Sequence, residues 1–183
     1  MKAKLIGTKV ITGKVRASYA HIFEPHRMQE GQDAKYSVSL IIPKTDTSTI
    51  QAIKKAIEEA KEAGKAKFGG KIPANLKTPL RDGDVEREDD PNYQGAYFIN
   101  ASSKNAPGIV DQNKIRLTES STVVSGDYIR ASINMYAFNT SGNKGIAAGL
   151  NNIQLIEKGE PLGGASSAED DFDEIDTDDD DLL

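Results

Sequence analysis

Within the strand-like segment 127–139, aromatic, basic and small polar side chains alternate with aliphatic ones from Tyr128 to Phe138. As a strand, the segment sets Ile129, Ala131, Ile133, Met135 and Ala137 on one face, an unbroken apolar row that must be the core side. Tyr128, Arg130, Ser132, Asn134, Tyr136 and Phe138 share the other face. Rings and a guanidinium among small polar spacers suit sequence-tolerant capture of a single nucleic-acid strand, because unpaired bases stack on rings while the cation meets phosphate. The competing reading packs the same rings beneath a loop, for which residues 65–95 are available. Arg16, Tyr19, Lys104, Lys114 and Arg116 would join such a groove if their strands neighbour this one. Alternation puts Arg16 and Tyr19 on opposite faces, so only one points into a given groove unless a bulge intervenes. Taken singly, each Lys or Arg is ordinary surface charge, and only convergence gives them meaning.

Enzyme motifs fare poorly. The chain has no GxSxG, HExxH or GxxxxGK[ST]; the nearest approach to the last, GKAKFGGKI at 64–72, puts Ile72 where the magnesium-binding hydroxyl belongs. Asp82, Asp84, Glu86, Glu88, Asp89 and Asp90 are the carboxylates a metal-dependent nuclease would use. They lack calcium-loop spacing and have Arg81 and Arg87 interleaved, which reads as a solvated polar loop. With no cysteine, thiol nucleophiles and cysteine-ligated metal sites are excluded, and His21 and His26 are too few for a multi-histidine cage. No metal site, catalytic residue or cofactor is expected.

Charge is segregated along the chain. Of the 28 acidic residues, 10 lie in residues 165–183 with no basic partner, which leaves residues 1–164 a net positive body beneath the overall −5. Length allows one globular domain and an appendage, with the division expected at 1–164 and a disordered acidic tail over 165–183. The opening MKAKLIGTKV has no apolar secretory core, and no run of about 18 apolar residues exists to span a membrane. The expected setting is soluble and intracellular.

The elements that must position these residues are mostly strands. Residues 9–23 read as a long strand bent near Gly13, 36–42 as a second ended by Pro43, and 96–102, 127–139 and 145–156 as three more, with a turn at Thr140, Ser141, Gly142 and Asn143. One amphipathic helix is expected over 48–64, with Ser48 and Gln51 at capping-box spacing and Ile50, Ile53, Ile57 and Ala60 on its core face. Residues 65–95, rich in Gly, Pro, Asp and Asn, read as a long insertion, functional or mobile rather than core. Without a strand–helix rhythm, the fold class is mainly β, a small five-stranded antiparallel barrel with one helix.

Several blocks in one order carry a resemblance: ASYAHIFEP (17–25), KYSVSLIIPK (35–44), GGKIPANLKTPLRDGD (69–84), YFINASSKNAPGIVD (97–111) and GNKGIAAGLNNIQLIEKGEPLGG (142–164). Together they resemble a family of bacteriophage and prophage single-stranded-DNA-binding proteins, over about residues 9–172. The resemblance implies an oligonucleotide/oligosaccharide-binding (OB) barrel that coats single-stranded DNA without sequence preference during phage replication or recombination in the bacterial host cytoplasm. The expected site then comprises Tyr128, Arg130, Tyr136, Phe138, Arg16, Tyr19, Lys104, Lys114 and Arg116. The acidic run with an apolar tip, Asp178, Asp179, Asp180, Asp181, Leu182 and Leu183, is similar to the tails with which such proteins recruit replication or recombination partners, with leucines where an aromatic residue is usual. The tail is expected to compete with DNA for the basic groove, and copies of the chain to assemble along DNA. The rival readings are the metal-dependent nuclease and a phage protein-interaction module that leaves DNA unbound.

Overall fold

The computed structural model describes residues 1–27, 29–162 and 172–175. Asp178, Asp179, Asp180, Asp181, Leu182 and Leu183 lie outside the described residues, as does most of the expected appendage. In chain order the elements are β1 (Lys4–Ile6), β2 (Lys9–Ile11), β3 (Val15–His26), β4 (Lys35–Pro43), α1 (Thr47–Ala63), β5 (Leu80–Asp82), α2 (Gly83–Glu86), β6 (Ala96–Ser103), β7 (Gly108–Val110), β8 (Tyr128–Thr140) and β9 (Asn143–Glu157). Short 3-10 turns occupy Lys65–Phe68, Pro91–Tyr93 and Ser120–Thr122.

Five strands close a ring. β3 pairs with β4, β4 with β6, β6 with β9, β9 with β8, and β8 returns to β3. Counted within the ring, the order is first, second, third, fifth, fourth, the Greek-key closure of an OB barrel. All ring pairs are antiparallel except β6–β9, which is parallel, so the expectation of a wholly antiparallel barrel is corrected there. That one parallel joint follows from topology, since β8 and β9 are a hairpin and only one of them can run antiparallel to β6. The remaining short strands extend the sheet: β1 and β2 beyond β8, β5 on β6, and β7 on β9. Outward and inward rows alternate along β8 as expected, with Ile129, Ala131, Ile133, Met135 and Ala137 all buried.

The helix closes the barrel through Ile50, Ile53, Ala56, Ile57 and Ala60. Its cap is Asp46 rather than Ser48: the Asp46 carboxylate accepts from the Thr49 amide at 3.1 Å and from its hydroxyl at 2.7 Å. The same Thr49 oxygen accepts from the Gly13 amide, where the expected first long strand breaks into β2 and β3. Ser48 instead accepts from the Ala3 amide, tying down the N-terminus. At the other end Gly64 lets the helix approach β8, for a Cβ there would stand 2.1 Å from that of Ala137.

Residues 65–95 are not a loose insertion. They contain β5 and α2, and they bury Phe68 in the main core and Tyr93 against Ile41, Ala96 and Phe98. After β9 the chain is held equally firmly. The fully buried Asp127 carboxylate accepts from the amides of Val124 (2.8 Å) and Gly159 (3.1 Å) and from Lys158 Nζ. Arg16 Nη2 donates to the Glu160 carbonyl, and the Leu162 amide donates to the Ser125 carbonyl. Asp127→Ala strips three donors of their buried acceptor, and should lower unfolding free energy by about 3 kcal/mol in a denaturant titration. A loss below about 0.5 kcal/mol would show that the carboxylate does not anchor this corner.

Candidate nucleic-acid interface

The site begins with β3 refusing to stay straight. Against β4 its register runs Ser18↔Ser39, His21↔Ser37, His26↔Lys35, so extra residues are forced out twice. The first bulge leaves Tyr19 at φ 47°, a conformation costly for a residue with a Cβ, with its ring 59% exposed. The Ala20 amide, freed from the ladder, donates to Ser125 Oγ at 2.9 Å. The second bulge folds the strand back until His26 stacks on His21, ring centroids 4.1 Å apart and planes within 9°. Bulges re-aim side chains, and strained backbone persists where function requires it.

These rings line one wall of a cleft of about 950 Å³. Its floor is made by Ser37 and Ser39 of β4 and Asn100 and Ser102 of β6, hydroxyls and an amide that hydrogen-bond without demanding a charge. Lys35, Lys104 and Arg87 bring cations to it. Arg87 is placed by the insertion: its guanidinium lies 5.7 Å from the Tyr93 ring centre and 5.4 Å from that of Phe98, two rings themselves packed edge to face. The Tyr93 hydroxyl donates to Ser39 Oγ at 3.0 Å, joining insertion to floor. Lys104 reaches Asp33 at only 3.9 Å with both side chains well exposed, a pair worth little against a phosphate. Burial, and then the neighbouring His26, hold the His21 imidazole below its ordinary pKa. At neutral pH it is therefore an uncharged flat surface.

Of the residues singled out by sequence, Tyr19 and Lys104 line this cleft. The bulge is what brings Tyr19 there. Tyr128, Arg130, Tyr136 and Phe138 do share the outer face of β8, but they line a different part of the barrel. Arg130 is occupied, donating Nε to the Thr12 carbonyl at 2.8 Å and Nη2 to that of Lys2 at 3.1 Å. Arg16 is likewise spent on the Gly126 and Glu160 carbonyls, and with Lys14 it lies near the Tyr128 ring. Tyr136 and Phe138 border a second, shallower cleft with Lys67, Asn139 and Thr140. Lys114 and Arg116 are exposed on the turn after β7, away from both clefts. Sequence reasoning missed the histidine stack, Lys35 and Arg87. The signal for the first is HIFEPH, two imidazoles around a Pro that cannot sit in a central ladder.

Three carboxylates of the insertion, Asp82, Asp84 and Glu86, are matched to cations. Lys44 bridges Asp82 (2.9 Å) and Asp84 (2.7 Å), and Arg81 holds Glu86 at 2.7 Å. The Lys44 hydrogen bond, aided by the Gly95 amide, keeps Asp84 below the usual carboxylate range. Among the described residues no three metal-ligating side chains converge, and no helix is long and apolar enough to cross a membrane.

A five-stranded Greek-key barrel with a polar, aromatic-walled cleft on its second and third strands defines the OB class of oligonucleotide binders. Residues 8–183 match the family model described as Enterobacter phage Enc34, ssDNA-binding protein, and the chain belongs to that family. Protein p50 of Acyrthosiphon pisum secondary endosymbiont phage 1 is 31% identical over 179 residues, 91% of this chain and 94% of its own. Among solved structures, the bacteriophage Enc34 single-stranded-DNA-binding protein in complex with ssDNA superposes with a TM-score of 0.73 at 25% identity, covering 89% of this chain and 98% of that one. The bacteriophage T7 single-stranded-DNA-binding protein gp2.5 shares the fold, with a TM-score of 0.60 at 18% identity over 92% of each chain.

If Tyr19 keeps its strained backbone for the sake of its ring, replacing it should relieve the fold. Tyr19→Gly is expected to leave stability unchanged or raise it by up to about 1 kcal/mol, measured by thermal unfolding. A clear loss would mean instead that the ring packs as core.

Proposed function

We propose that this protein binds single-stranded DNA without sequence preference along the β3–β4–β6 cleft, in phage replication or recombination inside the bacterial host, and catalyses no reaction. The observation that carries the reading is the pair of β3 bulges, which turn Tyr19 and the His21–His26 stack into the wall of a cleft whose ends bear Lys35, Arg87 and Lys104. Bases stack on the rings, the hydroxyl and amide floor takes up their edges or the sugars, and the cations meet phosphates. Stacking on a ring accepts any base, and contacts to phosphate carry no sequence information, which supports tolerance of sequence. The ssDNA complex of the Enc34 phage protein supports the choice of ligand.

In the same reading the acidic tail competes with DNA and is released to recruit replication or recombination proteins. Its support is where the described chain leads. Leu162 packs on Ile41, Tyr93, Ala96 and Phe98, the cluster on which Arg87 rests and which reaches Ser39, so Leu162 itself lies beside the cleft. Several copies side by side on one strand would coat it.

Fluorescence anisotropy with labelled single-stranded and duplex 30-mers at two salt concentrations tests the reading. Binding should favour the single strand, tolerate changes of sequence and weaken with salt; no binding at low salt, even after residues 165–183 are removed, would sink it. Tyr19→Ala should weaken binding by about 10-fold or more, and Lys104→Ala should flatten the log–log salt slope by about 0.7. Removing residues 165–183 should tighten binding, and unchanged affinity at both salts would eliminate competition by the tail.

Acid should also tighten binding. His21 is neutral when free, and a phosphate favours its charged form, so binding takes up protons as pH falls. The fold responds with the opposite sign: a histidine whose native pKa is lowered stabilises the folded state above its unfolded pKa, and that contribution is lost as pH drops through it. Affinity should rise several-fold between about pH 7.5 and about pH 5.5. His21→Gln/His26→Gln should abolish that slope; if the slope persists in this variant, the stack lies outside the DNA path.

A further inference from the structure

The outer face of the β8–β9 hairpin is not accounted for by the cleft. β4, at the centre of the cleft, neighbours β3 and β6 in the ring, whereas β8 and β9 lie across the barrel from it. The two clefts have no residue in common. On this face the β9 residues opposite Phe138 and Tyr136 are Gly145 and Ala147, and Gly149 follows, so little side chain stands above the sheet. Phe138 lies down across the gap: a Cβ added at Gly145 would meet its ring at 2.8 Å. Covering a glycine in this way is a structural task. Tyr136 reaches over Gly149 in the same way, within 3.7 Å of where a Cβ would stand, but glycine cover does not account for a residue left 44% exposed on this face.

Nor does it explain the charge. Residues 65–79 contain Lys65, Lys67, Lys71 and Lys77 and no acidic residue. The fold lays this segment along the hairpin. Lys77 bridges the start of β9, its carbonyl accepting from the Ile146 amide at 2.8 Å, so Lys77 and Lys144 are adjacent across that joint. The Asn139 amide donates to the Lys67 carbonyl, and Lys67 Nζ donates to the Ala137 carbonyl at 3.2 Å beside the two rings. Among the described residues none of Lys65, Lys67, Lys71, Lys77 or Lys144 forms an ion pair. Uncompensated like charges brought together repel one another, and a polyanion is what relieves them.

We propose that the Tyr136–Phe138 face, with the lysines of residues 65–77 and Lys144, is a second contact site for single-stranded nucleic acid, taking the part of a long strand that extends beyond the β3–β4–β6 cleft. The proposal rests on the function given above and enlarges it: the cleft holds one short stretch, and the hairpin holds nucleotides further along the same strand. Exposed rings beside lysines suit a nucleic-acid strand, whose phosphates meet the cations while its bases stack on the rings.

The test compares oligonucleotide lengths in the full chain. Labelled oligo-dT of about 8 nucleotides matches one OB cleft, whereas about 30 nucleotides spans both sites. Tyr136→Ala and Lys77→Ala/Lys144→Ala each leave Phe138, Gly145 and the backbone bonds of Lys77 in place, and thermal melts verify that each variant folds. The 8-mer affinity should be unchanged in both variants. The 30-mer affinity should fall about 10-fold for Tyr136→Ala, and the lysine pair should flatten its salt slope by about 1.4. Equal losses on both lengths would overturn the proposal by making the hairpin part of the first site. Unchanged 30-mer binding would overturn it by leaving the face without a nucleic-acid role. Tighter binding in the lysine variant would overturn it in favour of the tail as occupant. Failure of the unaltered chain to bind either length would refute the cleft reading itself, a result distinct from all of these.

Discussion

The interface depends on one constraint: β3 carries more residues than β4 can pair. A straight strand would alternate Arg16, Ser18 and Ala20 against Ala17, Tyr19 and His21, and would turn Tyr19 inward with the apolar row. The extra residue between Ser18 and His21 changes the phase, so that Ala17 and Ile22 remain buried while Tyr19 and His21 both reach the cleft. The cost is a tyrosine at positive φ and an amide removed from the ladder, offset in part by Ser125. Ser125 belongs to the turn that Asp127 anchors, and that turn also holds residues 159–162. The shape of the cleft wall and the departure of the C-terminal chain are thus fixed by one buried carboxylate and its neighbours.

The insertion contributes to the same end. Its composition is that of a loop, yet Tyr93 is almost fully buried and its hydroxyl meets Ser39 in the cleft floor. Phe98, Tyr93 and Ile41 form a second small core on the outside of β4 and β6, and Arg87 rests on its rings. A guanidinium resting against two rings is already restricted in the directions it can take. The neighbouring carboxylates Asp82, Asp84 and Glu86, which would otherwise repel DNA, are neutralised locally by Lys44 and Arg81.

Much of the fold was legible because alternation is a local property. The inner row of β8, the positions of the main strands and the helix face follow from side-chain spacing alone. Which outward face becomes part of a cleft is not local. It is decided by the closure of β8 onto β3 and of β6 onto β9, pairings between residues more than forty positions apart. Arg130 and Arg16 illustrate the difference: their strand faces were read correctly, but carbonyls of Thr12, Lys2, Gly126 and Glu160 arrive from distant segments to occupy them. The helix cap moved to Asp46 for a similar reason, since Gly13 and Ala3 claim Thr49 and Ser48 from outside the helix. The histidine stack needed a backbone excursion that no period of two describes.

The charge arrangement gives the two faces different parts. At the cleft, cations are few and set near rings and hydroxyls, so in the proposed reading contacts with bases would weigh heavily there. Along the hairpin, lysines outnumber rings and, among the described residues, no carboxylate pairs with them, so in the proposed reading attraction to phosphate would dominate and reach further, within a Debye length of about 8 Å at physiological salt. A strand held by the cleft alone would dissociate through a single event. A strand also tethered at the hairpin stays at high local concentration after either contact breaks, and rebinding is then intramolecular. The ten carboxylates of residues 165–183 belong to the same balance. In the proposed reading they would compete with phosphate at whichever basic surface is vacant, and a long strand that filled both surfaces would leave them the fewest places to bind.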